Sequence, residues 1–516
     1  MFPPNAPPRS TRSMRFAMNK AFAAATALLL GGCVVGPNYR APPAAGLGVP
    51  AGYAPPVTAV PVPAATAGQP DAGRADLAAW WRQFDDPLLT DLIARATAGN
   101  LQIAQSAARL VQAREALVQA GADRLPTLTG SAGASRNFTR GGGSSIVVGG
   151  GNGSPGTVVT TGGSSATTQL SLGLDASWQA DIFGGVRRSI EAARADEAAA
   201  GFDLEAVRTA VAGEVATNYV QARLAQARLR IARTTLGTQD ENLQIAGWRV
   251  QAGLVSALDV EQARGQRAQT AASIPAIETS YAQAVARLGI LVGQAPGALR
   301  AEMETSRPIP RGPDSIAVGV PAETLRRRPD VRRAERQLAA ATARIGVATA
   351  ALYPALSIGG NLNTSATSVG SLGSLLTGGL FAGLAHTIFD AGRRRSQVRS
   401  ARAAADVAFA GYRQTVLTGL EDVENAMQAL AAAKARQVQL EVALDASNNA
   451  AIYARSQYRS GLIDFLTLLQ SEQALLSARD QLAAAKADQA LSLVQLYLAL
   501  GGGWQSDSNN PTGNPA

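Results

Sequence analysis

Cysteine and histidine each occur once in the 516 residues, at Cys33 and His386. A single thiol permits no intramolecular disulfide, so packing must hold the fold. The same scarcity removes the His/Cys sets that hold zinc and the paired groups that activate a nucleophile. No GxxxxGK[ST] phosphate loop is present, so any energy source lies in another protein. These lacks argue against an enzyme, a metal site and a bound cofactor. The carboxylates are mostly spaced along helix surfaces, where solvation is the default. No apolar run reaches the roughly eighteen residues of a membrane-spanning helix. Net charge is +9, yet no basic patch interleaved with aromatics marks a nucleic acid partner.

Acidic residues are missing from the first 32 positions, which hold Arg9, Arg12, Arg15 and Lys20. The apolar run Ala21 to Leu30 follows, interrupted only by Thr26. Ten residues rise about 15 Å as a helix, half the hydrocarbon thickness of a bilayer. That length suits the core of a secretory signal, not a stable span. Leu30-Gly31-Gly32-Cys33 resembles a bacterial lipobox. In proteins with that signature the thiol is diacylated and the leader removed, so Cys33 is the expected lipidation site. Met14 or Met18 is the expected start of the signal. Val34 and Val35 follow in place of the aspartate that favours inner-membrane retention, so the outer membrane is favoured.

Residues 1–32 thus read as signal peptide with lipobox and 33–79 as a lipidated tether, rich in Pro, Ala and Gly over 36–71. Beyond Trp80 the composition turns to long Ala/Gln/Arg/Leu stretches. Leu229, Leu236, Leu243 and Val250 recur every seven residues, as do Leu468, Leu475, Leu482 and Leu496, with Gln489 interrupting. These are coiled-coil seams. Residues 185–251 contain no proline, so one helix of about 100 Å fits there, and 393–460 could form another.

Between the helical blocks the apolar period drops to two. In "QLSLGLDASWQADIF", Leu170, Leu172, Leu174, Ala176 and Trp178 share one face; Ser171, Gly173, Asp175, Ser177 and Gln179 share the other. A half-apolar strand of this length crosses a bilayer when tilted. "PTLTGSAGASRNF" is its hairpin partner, and 140–168 reads as a long Gly/Ser/Thr-rich loop.

The pattern occurs twice. "DIFGGVRRSIEAARADEA" is echoed 206 residues later by "TIFDAGRRRSQVRSARAA", and "VQAGLVSALDVEQAR" 208 residues later by "YRSGLIDFLTLLQSE". "RLPTLTG" returns as "LYPALSI" after 228, the larger offset matching the Gly-rich insert. Two structural repeats are therefore expected: residues 80–293, with strands near 126–138 and 168–183, and residues 322–503, with strands near 354–364 and 379–389, the last carrying His386. Residues 294–321 would connect them and 504–516 form a flexible tail. Four strands per chain leave open edges that lipid cannot satisfy, so several chains must close the barrel. The fold class is an α+β membrane protein. Three chains would give a trimeric twelve-stranded β-barrel, continued by a long periplasmic α-helical barrel.

"LGGCVVGPNY", "TIFDAGRRR", "RRRPDVRRAE", "YRSGLIDFLTLL" and "LYLALGGGW" resemble, in combination and order, the lipoprotein branch of the TolC-like outer-membrane efflux channels. The resemblance covers nearly the whole chain after the leader. It implies a homotrimer that conducts small molecules passively to the exterior. Its partners would be a periplasmic membrane-fusion adaptor and an inner-membrane RND-type pump. A conduit for type I protein secretion and a lipid-anchored coiled-coil scaffold are the alternatives.

Phe183, Arg187 and Arg188, with Phe389, Arg393, Arg394 and Arg395, fall where strand passes into helix. Arginine there opposes the helix dipole, so contact with outer-membrane lipid phosphate is the expectation, a solvated basic collar the alternative. Asp390 is placed to cap the second long helix, whereas Asp181 reads as too early to cap the first. Gly253 and Gly461 suit tight turns between helices. Leu254, Val255, Leu462 and Ile463 beside them either pack inward or, as the resemblance implies, meet the adaptor. The resemblance also implies a periplasmic gate of inward acidic residues near these turns. Candidates are Asp259, Asp464, Thr467 and Gln470, the last replacing an aspartate common in relatives; for Asp464 the alternative is a cap on the return helix.

Overall fold

The computed structural model describes residues 34–53, 77–139, 144–147, 158–161, 165–313 and 321–504. Cys33, its leader and residues 505–516 lie outside them. The chain divides into two compact units.

Among the described residues, unit 1 comprises 34–39 and the segments within 115–194 and 339–406, and it holds the strands. They are β1 (Thr127–Thr139), β2 (Ser144–Val147), β3 (Val158–Thr161), β4 (Ser165–Ala180), β5 (Ala355–Ala366) and β6 (Leu376–Ala385). β2 and β3 pair antiparallel, Ser144 opposite Thr161 through Val147 opposite Val158, so the stretch expected to be loop holds a short ladder. The other four form one antiparallel sheet in the order β1-β4-β5-β6. β6 ends at Ala385, which leaves His386 and Phe389 beyond the strand expected to hold them.

The register sorts the sheet into two faces. Leu128 lies opposite Ala176, Leu174 opposite Leu362, Trp178 opposite Ile358, and Leu356 opposite Leu384. On the reverse face Asp175 sits between Thr129 and Asn361, and Gly173 between Ser131 and Asn363. Phe381 is a large apolar residue on the polar side, its ring lying across Gly359. Among the described residues the apolar face is bare: Leu380 is 94 % exposed, and Leu128, Leu376 and Leu384 exceed 60 %. Among the described residues, β1 and β6 are unpaired along their outer edges.

Among the described residues, unit 2 comprises 40–53, 77–114, 195–313, 321–338 and 407–504. Its helices include α1 (Pro87–Gly99), α4 (Ala257–Leu291), α5 (Arg300–Glu304), α6 (Pro321–Arg327) and α9 (Phe465–Ala499). Four others run in both units: α2 (Leu101–Ala122), α3 (Gly185–Gln251), α7 (Pro329–Ala350) and α8 (Arg393–Arg459). α3 and α8 have 67 residues each, α4 and α9 35 each, α2 and α7 22 each. The proline-free stretch from Gly185 is thus a single helix ending at Gln251.

The unit 2 core gathers Trp80, Leu89, Leu92, Ile93, Leu288, Met303 and Tyr497, with Trp80 stacked on Tyr497 at 5.5 Å. Burying each large apolar side chain contributes about 1.5–3 kcal/mol. Asp86 caps α1, accepting from the amides of Leu88 and Leu89, and also accepts from the Tyr219 hydroxyl at 2.6 Å. Arg223, fully buried, donates to Gln226, Tyr219 and the Thr305 carbonyl, so its charge is dispersed over three acceptors. Burial pushes the Tyr219 phenol pKa up. Trp504, assigned to the tail by sequence, is instead held: its indole donates to the Arg327 carbonyl at 2.9 Å.

Candidate functional site

Two groups of candidate residues lie at strand–helix and helix–helix junctions. The first is in unit 1. Asp181 accepts from the amides of Val186 (3.1 Å) and Arg187 (2.9 Å), so it does cap α3, contrary to its reading from sequence. The turn through Gly184, at φ 80°, brings the carboxylate back over the first turn. Asp390 accepts from the amides of Gly392 (2.9 Å) and Arg394 (3.1 Å) and caps α8. These bonds hold its carboxyl below the ordinary 3.8. Each carboxylate also engages a collar arginine, Asp181 with Arg187 at 3.3 Å and Asp390 with Arg394 at 3.9 Å. The carboxylates offset the dipole cost of arginine at these helix starts.

Arg188 departs from the lipid-facing expectation. Its side chain is 3 % exposed, and all three of its nitrogens donate. Nε donates to the Val35 carbonyl, Nη2 to the Gly36 carbonyl and Asn38 Oδ1, and Nη1 to Glu191. The Val35 amide donates in turn to the Phe183 carbonyl at 3.2 Å. Close approach depends on glycine: a Cβ on Gly36 would meet Gly346 Cα at 2.5 Å, and one on Gly346 would strike the Arg188 stem. Arg188 therefore secures the segment that follows Cys33 and is not available to headgroups. Phe183 is half-buried, stacked on Tyr353 at 4.7 Å. Phe389 is 86 % exposed, and Arg393 and Arg395 are exposed beside it.

The second group lies at the ends of the helical hairpins in unit 2. Gly253 and Gly461 have φ of 66° and 73°. The Leu254 amide donates to Arg249 O and the Gly253 amide to Val250 O; Leu462 and Gly461 repeat the pattern on Gln457 O and Tyr458 O. Both are Schellman caps, in which glycine avoids the left-handed penalty. Ser256 caps α4 through the Leu258 amide, and Asp464 caps α9 through the Thr467 amide at 2.9 Å. Hydrogen bonds from Thr467 hold the Asp464 carboxyl below its ordinary value.

The two tips are joined. Arg249 donates to the Tyr458 carbonyl at 2.8 Å, with its guanidinium 4.5 Å above that ring. Tyr458 packs edge-on to Phe465 and, with Leu468, Ala263 and Ala454, makes a small core backed by Ile463. Burial pushes the Tyr458 phenol up. Leu254 (69 %) and Leu462 (75 %) remain exposed, Val255 and Ile463 are half-buried, and Gln470 is exposed. Asp259, half-buried in the first turn of α4, acts electrostatically on Tyr458. The structure thus brings Asp259, Ile463 and Asp464 to one tip. Sequence reading missed Arg249; its lead was a cation on the last turn of α3.

An amphipathic four-stranded sheet with two free edges, joined to paired 67-residue helices, is the protomer architecture of the TolC-like outer-membrane channels. The outer-membrane channel OprN is 35 % identical in sequence, with a TM-score of 0.79 over 92 % of this chain and 100 % of its own. The outer membrane efflux protein family matches residues 92–294 and 320–502, and this chain belongs to that family. Nodulation protein T of Rhizobium leguminosarum bv. trifolii is 31 % identical over 92 % of this chain and 96 % of its own. The toluene efflux pump outer membrane protein TtgI of Pseudomonas putida is 31 % identical over 93 % and 98 %.

Proposed function

We propose that three copies of this chain close a twelve-stranded barrel through which small molecules leave the cell. The bare apolar face of the sheet, with unpaired edges at β1 and β6, is the observation that carries this reading. Apolar side chains at this density suit lipid, and an open edge in lipid must be paired by another chain. The polar face would then line the lumen. The equal lengths of α2 and α7, α3 and α8, and α4 and α9 support two structural repeats, with the helices of three protomers forming a periplasmic barrel.

The conduit supplies no energy and would be fed by an RND-type pump through an adaptor. The exposed Leu254 and Leu462, with Val255, Gly253, Ile463 and Gly461, are the proposed adaptor contacts. Relatives named for toluene efflux and for pyoverdine export favour small molecules as cargo. Lipid on Cys33 would anchor the chain, and the Arg188 socket would hold the anchored end against the collar. Phe389, Arg393 and Arg395 remain the proposed headgroup contacts. Near the three-fold axis, Asp259 and Asp464, with Thr467 and Gln470, would close the resting channel.

Planar-bilayer recording of the purified protein tests the reading. Discrete steps of small conductance are expected, rising when Asp464→Ala and Asp259→Ala are combined. Absence of any steps would refute the channel; an unchanged conductance in the double variant would refute the acidic gate alone.

A further inference from the structure

A groove of about 730 Å³ lies in unit 2, floored by α9 and walled by α3, α8 and residues 308–313. Arg230, Arg311, Arg479 and Lys486 line it, and no carboxylate does so among the described residues. Arg479 and Lys486 are seven residues apart on α9, two helical turns, and so point the same way. The neighbouring carboxylates of α9 are turned aside. Asp480 pairs with Arg228 of α3 at 2.8 Å and Asp488 with Arg436 of α8 at 3.1 Å. These two ion pairs fasten α9 to both walls. None of the four groove cations pairs with another described residue. Charge is thus segregated: anions are consumed at the helix seams, and cations are left in a concavity.

A second feature points to a ligand. Gln437, 8 % exposed and on the groove wall, gives its Nε2–H to Glu441, while its buried Oε1 has no donor among the described residues. A buried acceptor left unpaired costs about 1–3 kcal/mol. An occupant that brings an O–H or N–H there recovers this, and its anionic groups would meet the four cations. The volume falls in the small-molecule range of about 300–1,000 Å³.

We propose that this groove binds a small polyanion carrying carboxylate or phosphate groups and at least one hydroxyl or N–H donor. Bound, it would tie α3, α8, α9 and residues 308–313 together from the middle. The proposal is independent of the conduction reading, because it concerns a binding site within one chain.

Thermal unfolding of the full-length detergent-solubilised protein tests it, with citrate as probe and acetate at equal ionic strength as control. Citrate should raise Tm saturably by several degrees, and acetate should not. Arg479→Gln and Lys486→Gln should each weaken the apparent affinity about tenfold. Tricarballylate, citrate without its hydroxyl, should bind more weakly to the wild type and equally well to Gln437→Leu. Inorganic phosphate in place of citrate reports whether phosphate suffices, and a saturable, Arg479-dependent effect of either anion supports the site. Should a helix variant fail to elute as the wild type does, Arg311→Gln, outside the helices, carries the same expectation. A citrate effect no larger than that of acetate, or one that survives in the Arg479→Gln/Lys486→Gln protein, would overturn the proposal.

Discussion

Arg249, on the last turn of α3, donates to the carbonyl of Tyr458, on the last turn of α8, and covers its ring. One side chain thus holds together the tips of two hairpins that lie 209 residues apart. A charged donor on a neutral carbonyl contributes about 1 kcal/mol when half-exposed, and the cation–π contact adds a similar amount. Arg249→Ala should therefore loosen the tip without unfolding the core around Trp80. The expected result is a severalfold rise in resting conductance, with Tm lowered by no more than a few degrees.

Gly253 and Gly461 each hold a left-handed backbone that a Cβ disfavours by about 1–2 kcal/mol. Gly253→Ala and Gly461→Ala should each lower the stability of unit 2 by about that amount in chemical denaturation. Gly237, inside α3 with open space around it, is the contrasting case. There Gly237→Ala should stabilise by about 0.5–1 kcal/mol.

Arg188 makes four hydrogen bonds, three of them to the segment following Cys33. Arg188→Ala leaves the Val35 and Gly36 carbonyls without their donor and should free that segment. Hydrogen exchange at the Val35 amide should speed by about 30- to 150-fold, as loss of roughly 2–3 kcal/mol implies. Arg188→Lys should not rescue it, because one ammonium cannot reproduce the guanidinium fork.

The Asp464 cap carries a pH dependence of defined sign. Its folded pKa lies below the ordinary 3.8. The cap therefore stabilises the start of α9 fully above that value, and its contribution is lost as pH falls through the folded pKa. Exchange at the Thr467 amide should accelerate in that acid window beyond the intrinsic rate. Asp464→Asn keeps an acceptor and should remove the dependence.

Much of this architecture is legible in sequence because its elements are long and locally determined. A proline-free stretch with a heptad pattern over Leu229 to Val250 allows one long helix, and α3 occupies it from Gly185 to Gln251. Strict alternation in β4 assigns Leu172 and Asp175 to opposite faces, as the register does. What sequence could not show depends on distant partners. Arg188 reads as one more collar cation until Val35, Gly36 and Asn38 are found around it. Asp181 caps at an unusual reach, since the bend at Gly184 shortens a five-residue separation. Arg249 gives no sign that Tyr458 is its acceptor.

The central claim is that the open sheet is one third of a barrel. Light scattering of the detergent-solubilised protein, corrected for bound detergent, measures this most directly. A particle of three times the chain mass, resistant to SDS until heated, is the predicted result. A monomer whose β1 and β6 edges exchange freely with solvent would contradict it.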